Sequence, residues 1–175
     1  MSVTPHNPVH WRVGSLTSRC SAKFGKERSQ ALTLVAALLP GQLVLNYGDE
    51  VELSTGGSYQ ELNLDDPSVK FFKQTLKASI ALTMSQTQAR EYVTPEDKPG
   101  IFVMNRVNEN NFIVVANFGA EQASVPLEIY KGEGTTKVVV ATPNAGIAVD
   151  ENITTGEIQL PPDSAVALEI RNARK

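Results

Sequence analysis

Side chains able to move a proton, bind a metal or attack a substrate are few and scattered along this chain. Asp49 and Glu50 follow a strand-like run, at a strand end where a catalytic residue could sit. Neighbouring side chains on an extended backbone point to opposite faces, so these carboxylates are not expected to act as a pair. Asp65 and Asp66 precede Pro67 and an apolar run, which reads as helix capping and dipole compensation. His6 and His10 are the only histidines, too few and too near the N-terminus to anchor a metal. Cys20 is the only cysteine, which excludes an internal disulfide and a cysteine-based zinc set. A thiol near a helix start can be activated, but with no histidine close by Cys20 reads as a buried structural thiol. The stretch HWRVGSLTSRC, residues 10–20, ends a strand in Ser15, Leu16 and Thr17, which offer no group suited to proton transfer.

The elements that must position these residues are bounded by composition. The chain has 175 residues, 41% hydrophobic and 20% charged, enough for one domain or somewhat more. The formal net charge of -3, with no basic run beyond the short tail at Arg171–Lys175, argues against a nucleic-acid partner. The longest apolar stretch, ALTLVAALLPGQLVL, is interrupted at Pro40–Gly41 and falls short of the ~20 residues of a membrane span. MSVTPHNPVHW lacks the basic start and apolar stretch of a secretory signal, so this piece is expected to carry no address of its own.

The periodicity changes near residue 90. In residues 1–89 a strand at Val9–Gly14 precedes a helical stretch, SRCSAKFGKERSQALTLVAALL. Ala31, Leu34, Val35, Leu38 and Leu39 share one broad face of that stretch, and Pro40–Gly41 stops it. QLVLNYG reads as a strand buried on both faces, ended by Gly48. After a Gly/Ser loop a second helix begins, with Asp66 as N-cap, Pro67 at its first position and Phe71, Leu76, Ile80 and Leu82 as its apolar material. Strand–helix–strand–helix order indicates an α/β unit with a parallel sheet that needs further neighbours. Residues 90–175 instead hold short strands at regular spacing: GIFVMNRV and NFIVVANF around a NENN loop, then ASVPLEIY, KVVVAT, EIQLP and AVALEI. They are expected to form an antiparallel β-sandwich. Asn152-Ile153-Thr154, in an expected loop, is an N-glycosylation triplet.

The local sequence resembles the α-amylase superfamily. PGQLVLNYGDEVEL is similar to that family's eighth-strand segment, with Leu39, Pro40 and Gly41 followed by Tyr47, Gly48, Asp49 and Glu50. SRCSAKFG resembles the turn after the seventh strand, through Arg19, Phe24 and Gly25, and GIFVMNRVNENNFIVVANFG is similar to the first hairpin of the family's C-terminal β-domain. The resemblance spans residues 9 to 170, and its Tyr-Gly-Asp-Glu element is its most specific part. It implies the last two βα units of an eight-stranded (β/α)8 TIM barrel in residues 1–89 and an antiparallel β-sandwich domain in 90–175. Two units cannot close a barrel, so the chain is expected to be a fragment, with apolar barrel faces that would make it associate when alone.

Barrel active sites sit at the C-terminal strand ends. In enzymes of this family the seventh strand ends in Asn-His-Asp, whose His and Asp contact the sugar, whereas this chain has Ser15, Leu16 and Thr17 there. Glycoside hydrolysis needs a carboxylate pair, and leucine offers neither charge nor hydrogen bond. The resemblance thus implies a degenerate site, no catalytic residue, no cofactor and no metal, with a loop-ordering role for Asp49 and Glu50.

A family member without these groups resembles the heavy chains of heteromeric amino-acid transporters, of the 4F2-antigen type. This implies a non-catalytic ectodomain, on the extracellular side of the plasma membrane, that chaperones and traffics a multi-pass light chain. Upstream it would have a cytoplasmic tail, one apolar span of about 20 residues and a cysteine just beyond. The glycosylation triplet at Asn152 would suit that setting. The alternative is a fragment of an α-glucosidase or α-amylase whose nucleophile and acid lie upstream. An independent carbohydrate-binding sandwich is disfavoured, because the strand-rich half has no Trp and, after Tyr92, only Tyr130.

Overall fold

The computed structural model describes residues 9–53, 58, 63–84, 88–93, 98–107, 111–128, 135–153 and 156–171. His6, most of the Gly/Ser loop after Leu53, residues 108–110 of the NENN loop, Tyr130 and residues 172–175 of the basic tail lie outside them. The first strand, β1, covers only His10–Arg12, shorter than the expected Val9–Gly14. It pairs in parallel with β2, Gln42–Val44, in the register Trp11 to Leu43. Trp11 Nε1 donates to Pro40 O at 2.8 Å, tying the first strand to the turn that enters the second.

The helical stretch between these strands is two helices rather than one. Gly25, at φ 89° and ψ 164°, lies outside helical space and separates α1, Cys20–Phe24, from α2, Lys26–Leu38. Its N–H closes α1 on Ser21 O at 3.0 Å and its carbonyl opens α2 by accepting from Ser29 N at 3.2 Å. Glycine is the residue that reaches this φ without strain, a break that apolar periodicity cannot reveal. Ala31, Leu34, Val35 and Leu38 are buried as expected, while Leu39 is the extended residue that ends α2.

The third helix, α3, runs from Pro67 to Met84. Asp66 caps it, with Oδ1 accepting from Ser68 N at 2.7 Å. Its buried stripe is Val69, Phe71, Thr75, Ala78 and Leu82. Of the four apolar residues named from sequence, Phe71 and Leu82 are buried, Leu76 is half-buried and Ile80 faces solvent at 59% exposure.

A six-stranded sheet forms the centre, in the order β3-β4-β5-β10-β7-β8. Its strands are β3 (Gln88–Val93), β4 (Ile101–Val107), β5 (Asn111–Asn117), β7 (Thr135–Ala141), β8 (Asn152–Ile153) and β10 (Ser164–Arg171). All their pairings are antiparallel. The β6–β9 ribbon, Ala123–Pro126 with Glu157–Leu160, makes a second small sheet. The strands β3 and β8 were not expected from the sequence.

The sandwich is lopsided, because its two layers differ in kind on the two faces of the large sheet. On one face Ile113, Val115, Val166 and Leu168 pack with Val125, Leu127, Ile158 and Leu160 of the ribbon segments. On the other, Phe112, Val114, Ala165 and Ala167 pack against Leu34, Leu38, Phe71 and Leu82 of α2 and α3. The alternation of β5 and β10 thus serves two cores. The run Val138-Val139-Val140 is explained by a bulge: Leu168 pairs with Val138 and Ala167 with Val140, which skips Val139 and turns Val138 and Val140 to opposite cores. Residues 1–89 and 90–175 therefore contribute to one shared core. Arg106 of β4 donates to Leu38 O at 2.8 Å at the end of α2. Arg28 of α2 bonds Asp163 at 2.6 Å and Phe118 O at 2.9 Å.

Among the described residues no helix is long and apolar enough to cross a membrane.

Candidate functional site

Loops from the C-terminal ends of the parallel strands β1 and β2 meet at one place, where the sequence singled out its chemical residues. After β1 the chain makes a tight polar turn. Ser15 and Ser18 exchange backbone hydrogen bonds at 2.9 and 3.3 Å, and Ser15 Oγ accepts from Ser18 N at 3.0 Å. The hydroxyls of Ser15 and Thr17 lie 3.3 Å apart, within hydrogen-bond reach of each other. Leu16 projects into solvent at 56% exposure. Gly14 closes the turn at φ 76°, where a Cβ would come within 2.8 Å of Cys20 N.

Arg19 follows and is buried at 6% exposure. It reaches across to the loop after β2, donating from one terminal nitrogen to Asp49 Oδ1 at 2.7 Å and from the other to the carbonyl of Tyr47. Asp49 also accepts on Oδ2 from Asn46 N at 2.7 Å and from Asn46 Nδ2 at 3.2 Å. Donors on both oxygens of Asp49 tie the loop after β2 to the turn after β1.

The backbone around Asp49 and Glu50 differs from expectation. These residues open a single 3-10 turn, Asp49–Val51, instead of lying on an extended strand. The strand itself stops at Val44, and Leu45 and Tyr47 are 40% and 60% exposed. QLVLNYG was read as buried on both faces, yet parallel strands bury both faces only where neighbours cover them, and β1 is the one described neighbour of β2. Gly48, the N-cap of the 3-10 turn, has φ 83°, and a Cβ there would lie 2.7 Å from Leu53 Cβ. Its glycine is required twice over, by conformation and by space.

Cys20, at the start of α1, is half-buried rather than buried. Burial still pushes its thiol above the ordinary value and the nearby Asp49 adds to that, against a hydrogen bond with Ser29 and the charge of Lys23. A thiol so held stays protonated and inert. Glu52 is a residue that the sequence reading missed. Burial raises its carboxyl above the ordinary glutamate range, opposed by the charge of Lys26, whose Nζ lies 3.2 Å away. The signal for it was weak: a third acid in the run DEVE, four positions past Gly48. A cleft of about 240 Å³ opens nearby, lined by Lys26, Val51, Leu53, Asn63, Asp66 and Ser68.

The remaining residues singled out by sequence lie apart. His10 is exposed at the start of β1. Asp65 is fully on the surface and pairs with Lys70 at 3.0 Å, while Asp66 alone serves α3. The Asp66 carboxyl is lowered below its ordinary range chiefly by the backbone N–H of Ser68. Asn152 is exposed, in the edge strand β8 instead of a loop. Among the described residues no group of three or more His, Cys, Asp or Glu is placed to hold a metal ion.

Comparison with solved structures finds likeness to part of the α-amylase fold. The chain is similar to an α-amylase from Geobacillus thermoleovorans complexed with acarbose, with a TM-score of 0.68 and 13% identity over 95% of this chain. It is similar to trehalose-6-phosphate hydrolase from Bacillus licheniformis, with a TM-score of 0.72 and 11% identity over 93% of this chain. It is likewise similar to the trehalulose synthase of Pseudomonas mesoacidophila, with a TM-score of 0.68 and 11% identity over 93% of this chain. At such identities the likeness is one of fold. The chain spans 40% of the length of the first of these structures and 43% of the other two. No protein-family model and no curated protein matches the sequence.

Proposed function

We propose that this chain is the C-terminal part of an amylase-like ectodomain that cleaves no sugar and acts as a scaffold. In this reading β1 with α1–α2 and β2 with α3 are the last two units of a (β/α)8 barrel, and the strands from β3 onward are its C-terminal β-domain. The whole protein is then a heavy chain of a heteromeric amino-acid transporter, of the 4F2-antigen type, on the outer face of the plasma membrane. It is anchored there by an upstream span, and it assists the folding and delivery of a multi-pass light chain that carries the substrate.

The observation that carries this reading is the turn at Ser15–Ser18. Where sugar-cleaving enzymes of this fold hold a histidine and an aspartate, this strand end presents an exposed Leu16 and two hydroxyls bonded to one another. Across the strands the carboxylate of Asp49 is fastened to Arg19 and Asn46. Oxocarbenium chemistry needs carboxylates free to protonate or attack. A surface freed from catalysis can be given over to stability and partner contacts.

The test is made on the full-length protein. It is expected to co-purify with a multi-pass light chain and to leave maltose and other α-glucosides intact. Turnover of an α-glucoside, abolished by replacing one carboxylate, would reverse the reading in favour of a glycosidase. That second reading is supported by the amylases and hydrolases among the similar structures. It requires that the acid and nucleophile come from strands outside this chain.

A further inference from the structure

We infer that the space between the two strand-end loops and α2 is a binding site for a single buried water, which joins Arg19 to Glu52. This water site uses contacts within the chain alone and is independent of the light-chain reading. Two charged side chains define it. Arg19, 6% exposed, spends both terminal nitrogens, one on Asp49 Oδ1 and one on the Tyr47 carbonyl. Its Nε is buried and has no hydrogen-bond partner among the described residues. With both ends of the planar guanidinium held, that Nε cannot be re-aimed. Glu52, whose side chain is 13% exposed, gives Oε2 to Lys26 Nζ at 3.2 Å. Its Oε1 is likewise buried and without a partner among the described residues.

One of these atoms is a donor and the other an acceptor, and both residues line the same cavity of about 20 Å³, beside Ser29 and Thr33 of α2. A water needs roughly 10–15 Å³ of such space and about two to four polar partners. Asp49 also lines the cavity, but its oxygens already accept from Arg19 and Asn46. Cavities that stay dry are apolar, and this one has charged and hydroxyl groups in its wall. The water accepts from Arg19 Nε–H and donates to Glu52 Oε1, and its second proton goes to the hydroxyl oxygen of Thr33 or Ser29. Both orphaned atoms are thereby satisfied. The bridge extends the Arg19–Asp49 contact to Glu52, and through it to Lys26 at the start of α2. The turn after β1, the loop after β2 and α2 become one hydrogen-bonded unit.

The test is made on the chain itself, with water as the probe. In the isotope-labelled wild type, Arg19 Hε is expected to show a nuclear Overhauser contact to water, with the sign of a long-lived neighbour and not of passing solvent. The contact is expected to persist in Ser29→Ala and in Thr33→Val, made singly, which excludes relay through either hydroxyl. Magnetic relaxation dispersion of the water oxygen counts long-lived internal waters. Its amplitude is expected to fall by one water in Glu52→Leu, which fills similar space without an acceptor. Glu52→Gln is expected to keep the wild-type amplitude, because its amide oxygen still accepts. A wild type without the Hε contact overturns the site, whatever the variants do, and so does loss of the contact in either hydroxyl variant. Equal amplitudes in the wild type and a folded Glu52→Leu overturn Glu52 as the acceptor. If Glu52→Leu does not fold, the wild-type contact and the hydroxyl variants decide.

Discussion

The two regions of this molecule bury their apolar residues to different degrees. In the strand-rich region, residues 88–171, the main strands are four to eight residues long, and their buried side chains fill two cores. In the preceding region, residues 9–84, the two strands are three residues each, and Val9, Leu16, Phe24, Leu45, Tyr47, Leu64 and Ile80 are all exposed. No large hydrophobic residue of the strand-rich region is exposed among those described. The helices α2 and α3 are stable neighbours because they borrow the sheet as a wall. Among the described residues the strands β1 and β2 pair only with each other.

Core substitutions are the strongest way to test that contrast. Leu168→Ala, at a fully buried site between sheet and ribbon, is expected to cost roughly 2–5 kcal/mol. Ile80→Ser, on the exposed side of α3, is expected to stay within about 0.5 kcal/mol in this chain. Urea titrations of the two variants check the difference. Equal losses would mean that the exposed face of α3 is covered in solution and that the contrast is false. Repeating Ile80→Ser in the full-length protein sharpens it, since a larger loss there locates the cover.

Within the less covered region, the Arg19–Asp49 pair is a largely buried ionic contact between the two strand-end loops. Arg19 is 6% exposed and Asp49 21%, so removing the cation strands a largely buried anion. Arg19→Ala is expected to cost roughly 3 kcal/mol, read as a lowered urea midpoint. Arg19→Lys is expected to recover little, because one ammonium cannot reach both Asp49 and the Tyr47 carbonyl. A neutral Arg19→Ala would mean that the strand-end loops are ordered by packing alone.

The same contrast governs what was legible in the sequence. Where a segment's neighbours lie within the chain, its pattern could be read: the β4–β5 hairpin, β7, β10 and the Asp66 cap follow from alternation and turn chemistry. QLVLNYG misled because an apolar run reports the burial it needs, and these residues supply only β1 beside it. Gly25 broke a continuous periodic run through a φ that composition does not encode. At two residues, β8 was too short to show a period, and β3 (QAREYV) mixes polar and aromatic residues without alternation. The candidate site was legible as residue types, but not the contact of Arg19 with Asp49 and the Tyr47 carbonyl, which joins two segments far apart in sequence. Glu52 was not, because its significance comes from burial beside α2 and not from its neighbours in sequence.

Glu52 also answers to acid in the opposite sense to Asp66 in its own region and Asp150 in the other, the smallest of the expected effects. Its folded carboxyl is raised above the ordinary 4.5 by burial, so the folded state holds that proton more tightly than the unfolded chain does. The contribution is therefore fully present below pH 4.5 and is lost as pH rises through the folded value. Asp66 and Asp150 behave oppositely: both are lowered below 3.8, Asp66 chiefly by the Ser68 N–H and Asp150 chiefly by its hydrogen bond with Lys137. Their contributions are present above pH 3.8 and fade as acid is added below it. Thermal melts from about pH 2 to 7 are expected to show a component that falls with rising pH in the wild type and that Glu52→Gln removes, with the acid-side loss below pH 3.8 unchanged. Lys26→Met, which deletes the opposing cation, is expected to move that component to higher pH. Parallel melting profiles for wild type and Glu52→Gln would place Glu52 in solvent, and the loop between α2 and α3 would then be as uncovered as the strand ends beside it.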